Sequence, residues 1–244
     1  MLKIIIPLAG SSELFSNAGY FYPKPLIEIN GTPMIQLVVE KPTELTIDHQ
    51  FIFIIKDEDA TKFHIDNTLK LISPGCEIIK LKKHTKGGLC SALMSIDKME
   101  DDDTILILNG DQIIDIDFNE TITYWNNNKV DAGIVTFKSY HPRWSYARVE
   151  GEEIVQTAEK NPISPFAIAG YYYFSRAADF FNMAFETILN DVQIDGNFFI
   201  SSVINQYVLR NKKIRQYKIE NNQYHSFYSP QMVAEYERTM EQHR

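Results

Sequence analysis

The sequence predicts an α/β fold: a Rossmann-like, mixed but mostly parallel sheet flanked by helices. Three observations carry this. Over the first 140 residues, apolar runs of strand length alternate with segments of helical period. The first run, residues 2–9, is apolar almost throughout, as a strand buried on both faces must be. The gaps between runs leave room for a helix each, which makes right-handed βαβ units and parallel neighbours.

The elements follow in order. Residues 2–9 (LKIIIPLA) are the first strand, and residues 33–40 a helix with Pro42 soon after its end. Residues 50–56 (QFIFIIK) are the second strand. Residues 57–72 read as one helix, with Phe63, Leu69 and Ile72 as core positions. A third strand covers 76–81, a helix 88–96, and a fourth strand 104–109 (TILILN), ending at Gly110-Asp111. A helix over 117–125 and a strand over 130–138 close this stretch.

Beyond about residue 140 the pattern changes. Short strand-like pieces at 145–149 and 154–157 precede a strongly apolar strand at 168–174 (IAGYYYF), whose Tyr171, Tyr172 and Tyr173 alternate faces and belong mostly to the core. Helices over 176–189 and 198–210 and a strand over 213–219 follow. A C-terminal helix then opens with Ser229 as N-cap and Pro230 in the first helical position. No repeat, low-complexity tract or Gly/Ser linker intervenes. The expectation is one domain over residues 1–244, with a first half (1–140) and a second half (141–244).

Composition narrows the function. The 244 residues are 44% hydrophobic, enough for one sizeable core. The net charge of −8 argues against the basic face that duplex binding needs, so no nucleic-acid partner is expected. A local cluster can still hold one small phosphate ligand. No apolar run approaches the ~18 residues of a membrane span, and the N-terminal run is too short for a signal peptide. A cytoplasmic chain without a membrane partner is expected, with Cys76 and Cys90 as free, partly buried thiols.

Ligands of open α/β sheets gather beyond the carboxyl ends of the strands. The loop after the first strand, Ala9-Gly10-Ser11-Ser12, can bring backbone N–H groups close to phosphates, and Lys24 adds a positive charge. The same residues also read as a surface loop and a solvated lysine. Gly110-Asp111 puts a carboxylate where Mg²⁺ and substrate phosphates meet, or simply turns the chain after Asn109. Spacing alone favours the surface-loop reading for the first and leaves the two readings of Gly110-Asp111 even. Asp101-Asp102-Asp103 reads as a solvated turn. Asp115-Ile116-Asp117 matches an Asp-x-Asp metal motif, but Asp117 stands three residues before Glu120, a helix-capping pattern, and capping is favoured. Trp144 and Tyr146 suit either stacking on a ligand or roofing the second half.

A series of short words runs through the chain in order: Pro7-Leu8-Ala9-Gly10, Pro23-Lys24-Pro25-Leu26-Ile27-Glu28-Ile29, Asn30-Gly31-Thr32-Pro33-Met34-Ile35, Gly87-Gly88-Leu89-Cys90-Ser91-Ala92, Leu108-Asn109-Gly110-Asp111-Gln112, Glu159-Lys160, and Ala169-Gly170-Tyr171-Tyr172-Tyr173-Phe174. In these words the chain resembles the sugar-phosphate nucleotidyltransferases. It is most similar to small stand-alone members found in bacterial capsule and surface-polysaccharide gene sets, which carry a segment like His141-Pro142-Arg143-Trp144-Ser145-Tyr146-Ala147.

The resemblance implies joining of a nucleoside triphosphate to a phosphorylated sugar or small phosphorylated headgroup, with release of pyrophosphate and Mg²⁺ as cofactor. It implies that Leu8, Ala9, Gly10, Ser11, Ser12, Gly88, Ser91 and Gly110 surround the nucleotide. Lys24 would pair with its phosphates and Asp111 would ligate Mg²⁺. Tyr146, Ala147, Glu159, Lys160 and Gly170 would meet the acceptor, with Lys24, Asp111 and Lys160 the catalytic group. The first half would bind nucleotide and the second the acceptor. Relatives often associate, which leaves a homo-oligomer open, but the sequence does not fix the oligomeric state.

Three positions depart from the family pattern. Its loop reads Gly-x-Gly-x-Arg, and here Ser12 and Leu14 stand at the second glycine and the arginine. Losing a charged contact to the transition state is worth on the order of a hundredfold in rate. Ser226 stands where the family has a second metal-binding Asp, and the neighbouring His225 is expected to be a hydrogen-bonded or surface histidine. Two other readings follow from these features: a glycosyltransferase using Asp115 and Asp117 for its metal, and a non-catalytic nucleotide- or sugar-phosphate-binding protein.

Overall fold

The computed structural model describes residues 1–241. Its strands, in chain order, are β1 (Leu2–Pro7), β2 (Glu28–Ile29), β3 (Thr32–Pro33), β4 (His49–Lys56), β5 (Glu77–Leu81), β6 (Thr104–Leu108), β7 (Gln112–Ile114), β8 (Ala132–Lys138), β9 (Tyr146–Glu150), β10 (Glu153–Ala158), β11 (Phe166–Phe174), β12 (Ile214–Lys218) and β13 (Tyr224–Ser226). The helices are α1 (Glu13–Asn17), α2 (Met34–Thr43), α3 (Asp57–Phe63), α4 (Ile65–Ile72), α5 (Gly88–Leu93), α6 (Phe118–Asn128), α7 (Ala177–Leu189), α8 (Ile200–Leu209) and α9 (Pro230–Glu241).

Nine strands form one sheet in the order β5-β4-β1-β6-β11-β8-β12-β10-β9. The β5-β4-β1-β6 run is parallel, as the βαβ spacing predicts. β11 then enters antiparallel between β6 and β8, both from the first half of the chain. The sheet is therefore mixed at its centre, and the two halves of the sequence interleave in it.

The period of two explains the two cores. Ile4 and Ile6 of β1 pack with Phe53, Leu106, Tyr171 and Tyr173 on one face, under α2 and α6. Ile5 packs with Ile54, Ile105, Ile107 and Tyr172 on the other, under α5, α7 and α8. All three tyrosines of 171–173 are buried.

Several expectations are corrected. The helix expected over 57–72 is two helices, because His64 takes a left-handed conformation (φ 54°, ψ 34°) that ends α3 and starts α4. Phe63 does not join the core there; its ring packs edge-on to Phe21 and Tyr22. Pro42 lies inside α2 rather than beyond it. In the last turn its missing N–H costs a single helical bond. Asp103 is not solvated: it is buried and accepts the Glu100 N–H at 2.9 Å. Ser229 does cap α9, with Met232 N–H 3.5 Å from its hydroxyl.

Candidate functional site

The site grows from three strand ends. β1 and β6 run parallel with Ile5 opposite Ile107, so the loops that leave them, 8–12 and 109–111, emerge side by side. β11 arrives antiparallel with Tyr171 opposite Leu108, which sets Gly170 beside Asn109. Asn109 N–H donates to the Gly170 carbonyl at 3.0 Å. The short β7–β13 pair was not visible in the sequence. It places Ser226 opposite Gln112, and Phe227 N–H donates to the Asp111 carbonyl at 2.7 Å.

Two cavities open over these ends. The first, of about 330 Å³, is lined by every residue expected around a nucleotide: Leu8, Ala9, Gly10, Ser11, Ser12, Lys24, Gly88, Ser91, Gly110 and Asp111. The second, of about 570 Å³, is lined by Glu159, Lys160 and Gly170 among the expected acceptor residues. Gly88, Asn109, Asp111 and Ile200 belong to both, so the carboxylate of Asp111 stands where the two meet.

Glycines shape these walls for different reasons. Gly110 packs closely under Leu8: a Cβ there would lie 2.2 Å from a Leu8 methyl, which would have to turn aside. Gly170 has φ +59°, and a Cβ would fall 2.1 Å from Asn109 Nδ2. The space left by its missing side chain is thus taken by Asn109 of the protein, not kept for a ligand. Gly10 meets nothing within 4 Å and borders open cavity.

Polar groups in the site are paired. Lys24 Nζ lies 2.6 Å from Asp111 Oδ2, with both side chains about one-fifth exposed. Ser12 Oγ accepts the Lys24 N–H at 2.9 Å, which ties the first loop to the lysine segment. Thr85 and Ser91 share a hydroxyl–hydroxyl bond of 2.6 Å on the nucleotide-side wall. Glu159 accepts from the Ser201 hydroxyl at 2.8 Å and from Ser145, and burial pushes its carboxyl above the usual carboxylate range. Lys160 has φ +52° and pairs with Asp195 at 3.4 Å.

Tyr146 and Ala147 do not line either cavity. Both are fully buried, and the Tyr146 hydroxyl donates to the His141 carbonyl at 2.7 Å. In β9 the period of two sends Tyr146 and Ala147 to the two cores, and only the preceding loop reaches the cavity, through His141, Arg143, Trp144 and Ser145. Glu13 and Leu14, which start α1, are exposed and line neither cavity. His225 is partly buried against the Tyr236 ring at 5.0 Å, and desolvation lowers its imidazole below the ordinary value.

Residues missed at the sequence level include Asn197 and Ile200 on the nucleotide side and Tyr224 and Tyr228 on the other. They converge only through tertiary structure: Leu89 N–H donates to the Phe198 carbonyl at 3.1 Å, and Phe198 N–H to that of Lys86 at 2.8 Å. Asn109 was in view within its motif, but its role in seating Gly170 was not.

Asp115 and Asp117 lie outside both cavities. Asp117 caps α6, accepting from Asn119 N–H at 2.7 Å and Glu120 N–H at 3.3 Å. Asp117→Ala is expected to cost about 1 kcal/mol of stability, the worth of an N-cap, and to leave substrate turnover unchanged; urea unfolding and a rate assay check it.

Among the described residues, no three His, Cys, Asp or Glu side chains gather into a metal cage. Mg²⁺ keeps several waters and is often held by one or two carboxylates together with substrate phosphates. Asp111, at the mouth between the cavities, fits that mode. Likewise, no helix among the described residues is long and apolar enough to cross a membrane.

A family model described as nucleotidyl transferase matches residues 12–237. The bifunctional protein GlmU of Methanocaldococcus jannaschii is 25% identical over 177 residues, 72% of this chain and 40% of that protein. The chain spans half or less of the length of the curated relatives it matches. A nucleoside-diphosphate-sugar pyrophosphorylase structure from Vibrio cholerae RC9 superposes with a TM-score of 0.86 at 23% identity, covering 96% of this chain and 99% of that one. A UDP-glucose pyrophosphorylase complexed with UDP-glucose superposes with a TM-score of 0.77 at 19% identity, covering 99% of each chain. At these identities the structural likeness shows the fold.

Proposed function

As the chain belongs to the nucleotidyl transferase family, we propose that it joins a nucleoside triphosphate to a small phosphorylated acceptor and releases pyrophosphate. One observation carries this reading: two adjoining cavities share Asp111 at their junction, one rimmed by the Ala9–Ser12 backbone and Lys24, the other by Glu159 and Lys160.

The chemistry is a displacement at phosphorus. An oxygen of the acceptor phosphate forms a bond to the α-phosphorus. The bond from that phosphorus to the α,β-bridging oxygen breaks, and pyrophosphate leaves with the electron pair. The protein's part is alignment and neutralisation of charge. Gly10, Ser11 and Ser12 bind the triphosphate through backbone N–H groups. Lys24 exchanges its partner, from the Asp111 carboxylate at 2.6 Å to the incoming phosphates. Lys160, paired only with a surface carboxylate in this state, is available to the acceptor phosphate. Mg²⁺ held by Asp111 would supply positive charge to the phosphates. With Leu14 in place of an arginine, the leaving pyrophosphate relies on Lys24 and solvent, so a slow turnover is expected.

We assign the nucleotide to the first half and the acceptor mainly to the second, within one domain. The reduced thiols of Cys76 and Cys90 support a cytoplasmic setting, where triphosphates are available. Supply of an activated headgroup for a surface polysaccharide accords with the motif series at 141–147.

Pyrophosphate release tests the proposal: each of five nucleoside triphosphates is paired with sugar phosphates and phosphorylated amino alcohols, with and without Mg²⁺. One triphosphate–acceptor pair is expected to release pyrophosphate in an Mg²⁺-dependent way. No release from any pair, beside a working control enzyme, would sink it.

A further inference from the structure

The second cavity has aromatic walls and two carboxylates, Asp111 at the junction with the first cavity and Glu159. Trp144, Tyr172, Phe199, Tyr224 and Tyr228 line it, drawn from the loop before β9, from β11, from the turn before α8 and from the β13 region. The Trp144 and Tyr224 rings meet edge to face at 76°, with centroids 5.6 Å apart, and so form a corner. Aromatic faces attract cations within about 6 Å, and quaternary ammonium groups are a recurring occupant of such boxes. Phe199 already carries one cation, with Lys160 Nζ 5.6 Å from its ring centroid.

Glu159 lines the same cavity. Both hydroxyls that bind it, from Ser145 and Ser201, donate to Oε2, leaving Oε1 without a donor among the described residues. Lys160 lies close enough to offset part of that charge, but its ion pair is with Asp195, at 3.4 Å, and burial still dominates at Glu159. A partly desolvated carboxylate without an ion pair is costly, and a ligand cation removes that cost.

Resting on the transfer reaction above, we infer that the acceptor is a phosphate monoester bearing an ammonium group, the cation held by the aromatic walls and Glu159 and the phosphate directed to the Asp111 junction. Arg143 lies 5.4 Å from the Trp144 ring centroid, as Lys160 lies over Phe199, so a ligand ammonium takes the place of these two cations on the rings and leaves both free for the phosphate end.

Calorimetric binding to the full chain tests it with phosphocholine, phosphoethanolamine, glucose 1-phosphate and 3,3-dimethylbutyl phosphate, the uncharged carbon analogue of phosphocholine. At least one ammonium ester is expected to bind about tenfold or more tightly than the carbon analogue and glucose 1-phosphate. Glu159→Gln is expected to bring that ratio towards one. Trp144→Ala weakens the ammonium ester and Trp144→Phe restores most of it. The ratio compares two ligands on one variant, so a general loss of folding does not move it. A ratio near one in the unaltered chain, or tighter binding of glucose 1-phosphate, overturns the inference. Pyrophosphate release with sugar phosphates alone overturns it too and leaves the transfer reaction standing. Ammonium-ester binding without pyrophosphate release from any triphosphate overturns the reaction and leaves the ligand class standing.

Discussion

Asp111→Asn is expected to lower kcat for pyrophosphate release by about a hundredfold to a thousandfold, the usual effect of deleting one electrostatic contact made in the transition state. The side chain has no other evident duty of that size. It does not bury into either core, and its one ion pair, to Lys24, lies where both groups are about one-fifth exposed. The pair faces the open first cavity, where water takes the place of the lost charge beside Lys24, so the variant is expected to stay folded at ordinary temperature. The Mg²⁺ dependence should flatten as the rate falls, because the residue proposed to hold the ion is gone. Lys24→Ala should behave differently, raising the triphosphate concentration needed for half-maximal rate as well as lowering the rate. Steady-state kinetics over a range of Mg²⁺ and triphosphate check both. An unchanged kcat in Asp111→Asn would remove this residue from the mechanism.

Gly87→Ala is expected to be strongly destabilising. Gly87 has φ +97° and ψ 174°, a region that only glycine occupies readily. A Cβ there would lie 2.4 Å from the Phe198 carbonyl oxygen and 2.8 Å from its nitrogen, both backbone atoms. Backbone strain and overpacking each cost about 1–3 kcal/mol, so a loss of about 3 kcal/mol or more is expected, lowering the melting temperature by roughly 6–12 °C. The cost falls on the site as well. The clash separates the 86–89 turn from the 197–200 segment, which together wall the first cavity through Gly87, Gly88, Asn197 and Ile200. Gly88→Ala is the control. Its Cβ would meet only an Ile200 methyl at 3.9 Å, so the fold should tolerate it. Equal melting temperatures for the two variants would contradict this account.

The regular elements were legible because burial writes itself into the sequence as period. The apolar run in β1 and the tyrosines of β11 announced strands buried on both faces, and both cores confirm that reason. What was lost turns on single backbone conformations and on long-range partners. His64 breaks one helix into two through a left-handed conformation that a histidine does not advertise. The β7–β13 pair joins segments more than a hundred residues apart, and neither strand is long enough to show a period. Asp103 read as solvent-exposed because an acidic run normally is, yet one of its oxygens accepts the Glu100 N–H and the other pairs with the N-terminal amine at 3.1 Å.

The nucleotide-side residues were visible because they sit on consecutive loops at strand ends. The acceptor side was harder. Tyr146 and Ala147 lie in a motif beside cavity-lining residues, but strand alternation directs them inward. Trp144, two positions before Tyr146 and outside the strand, is the one of the two aromatics that lines the cavity.

The central claim is that an acceptor phosphate attacks the α-phosphorus of a triphosphate bound beside Asp111. Isotope tracing tests it most directly. The acceptor is prepared with ¹⁸O in the non-bridging oxygens of its phosphate, and the products are read by mass spectrometry. The account predicts a nucleotide–acceptor diphosphate that retains every labelled oxygen, with unlabelled pyrophosphate as the other product. Label in released inorganic phosphate or in a nucleoside diphosphate would contradict it, since either requires a bond other than the α,β-phosphoanhydride to break.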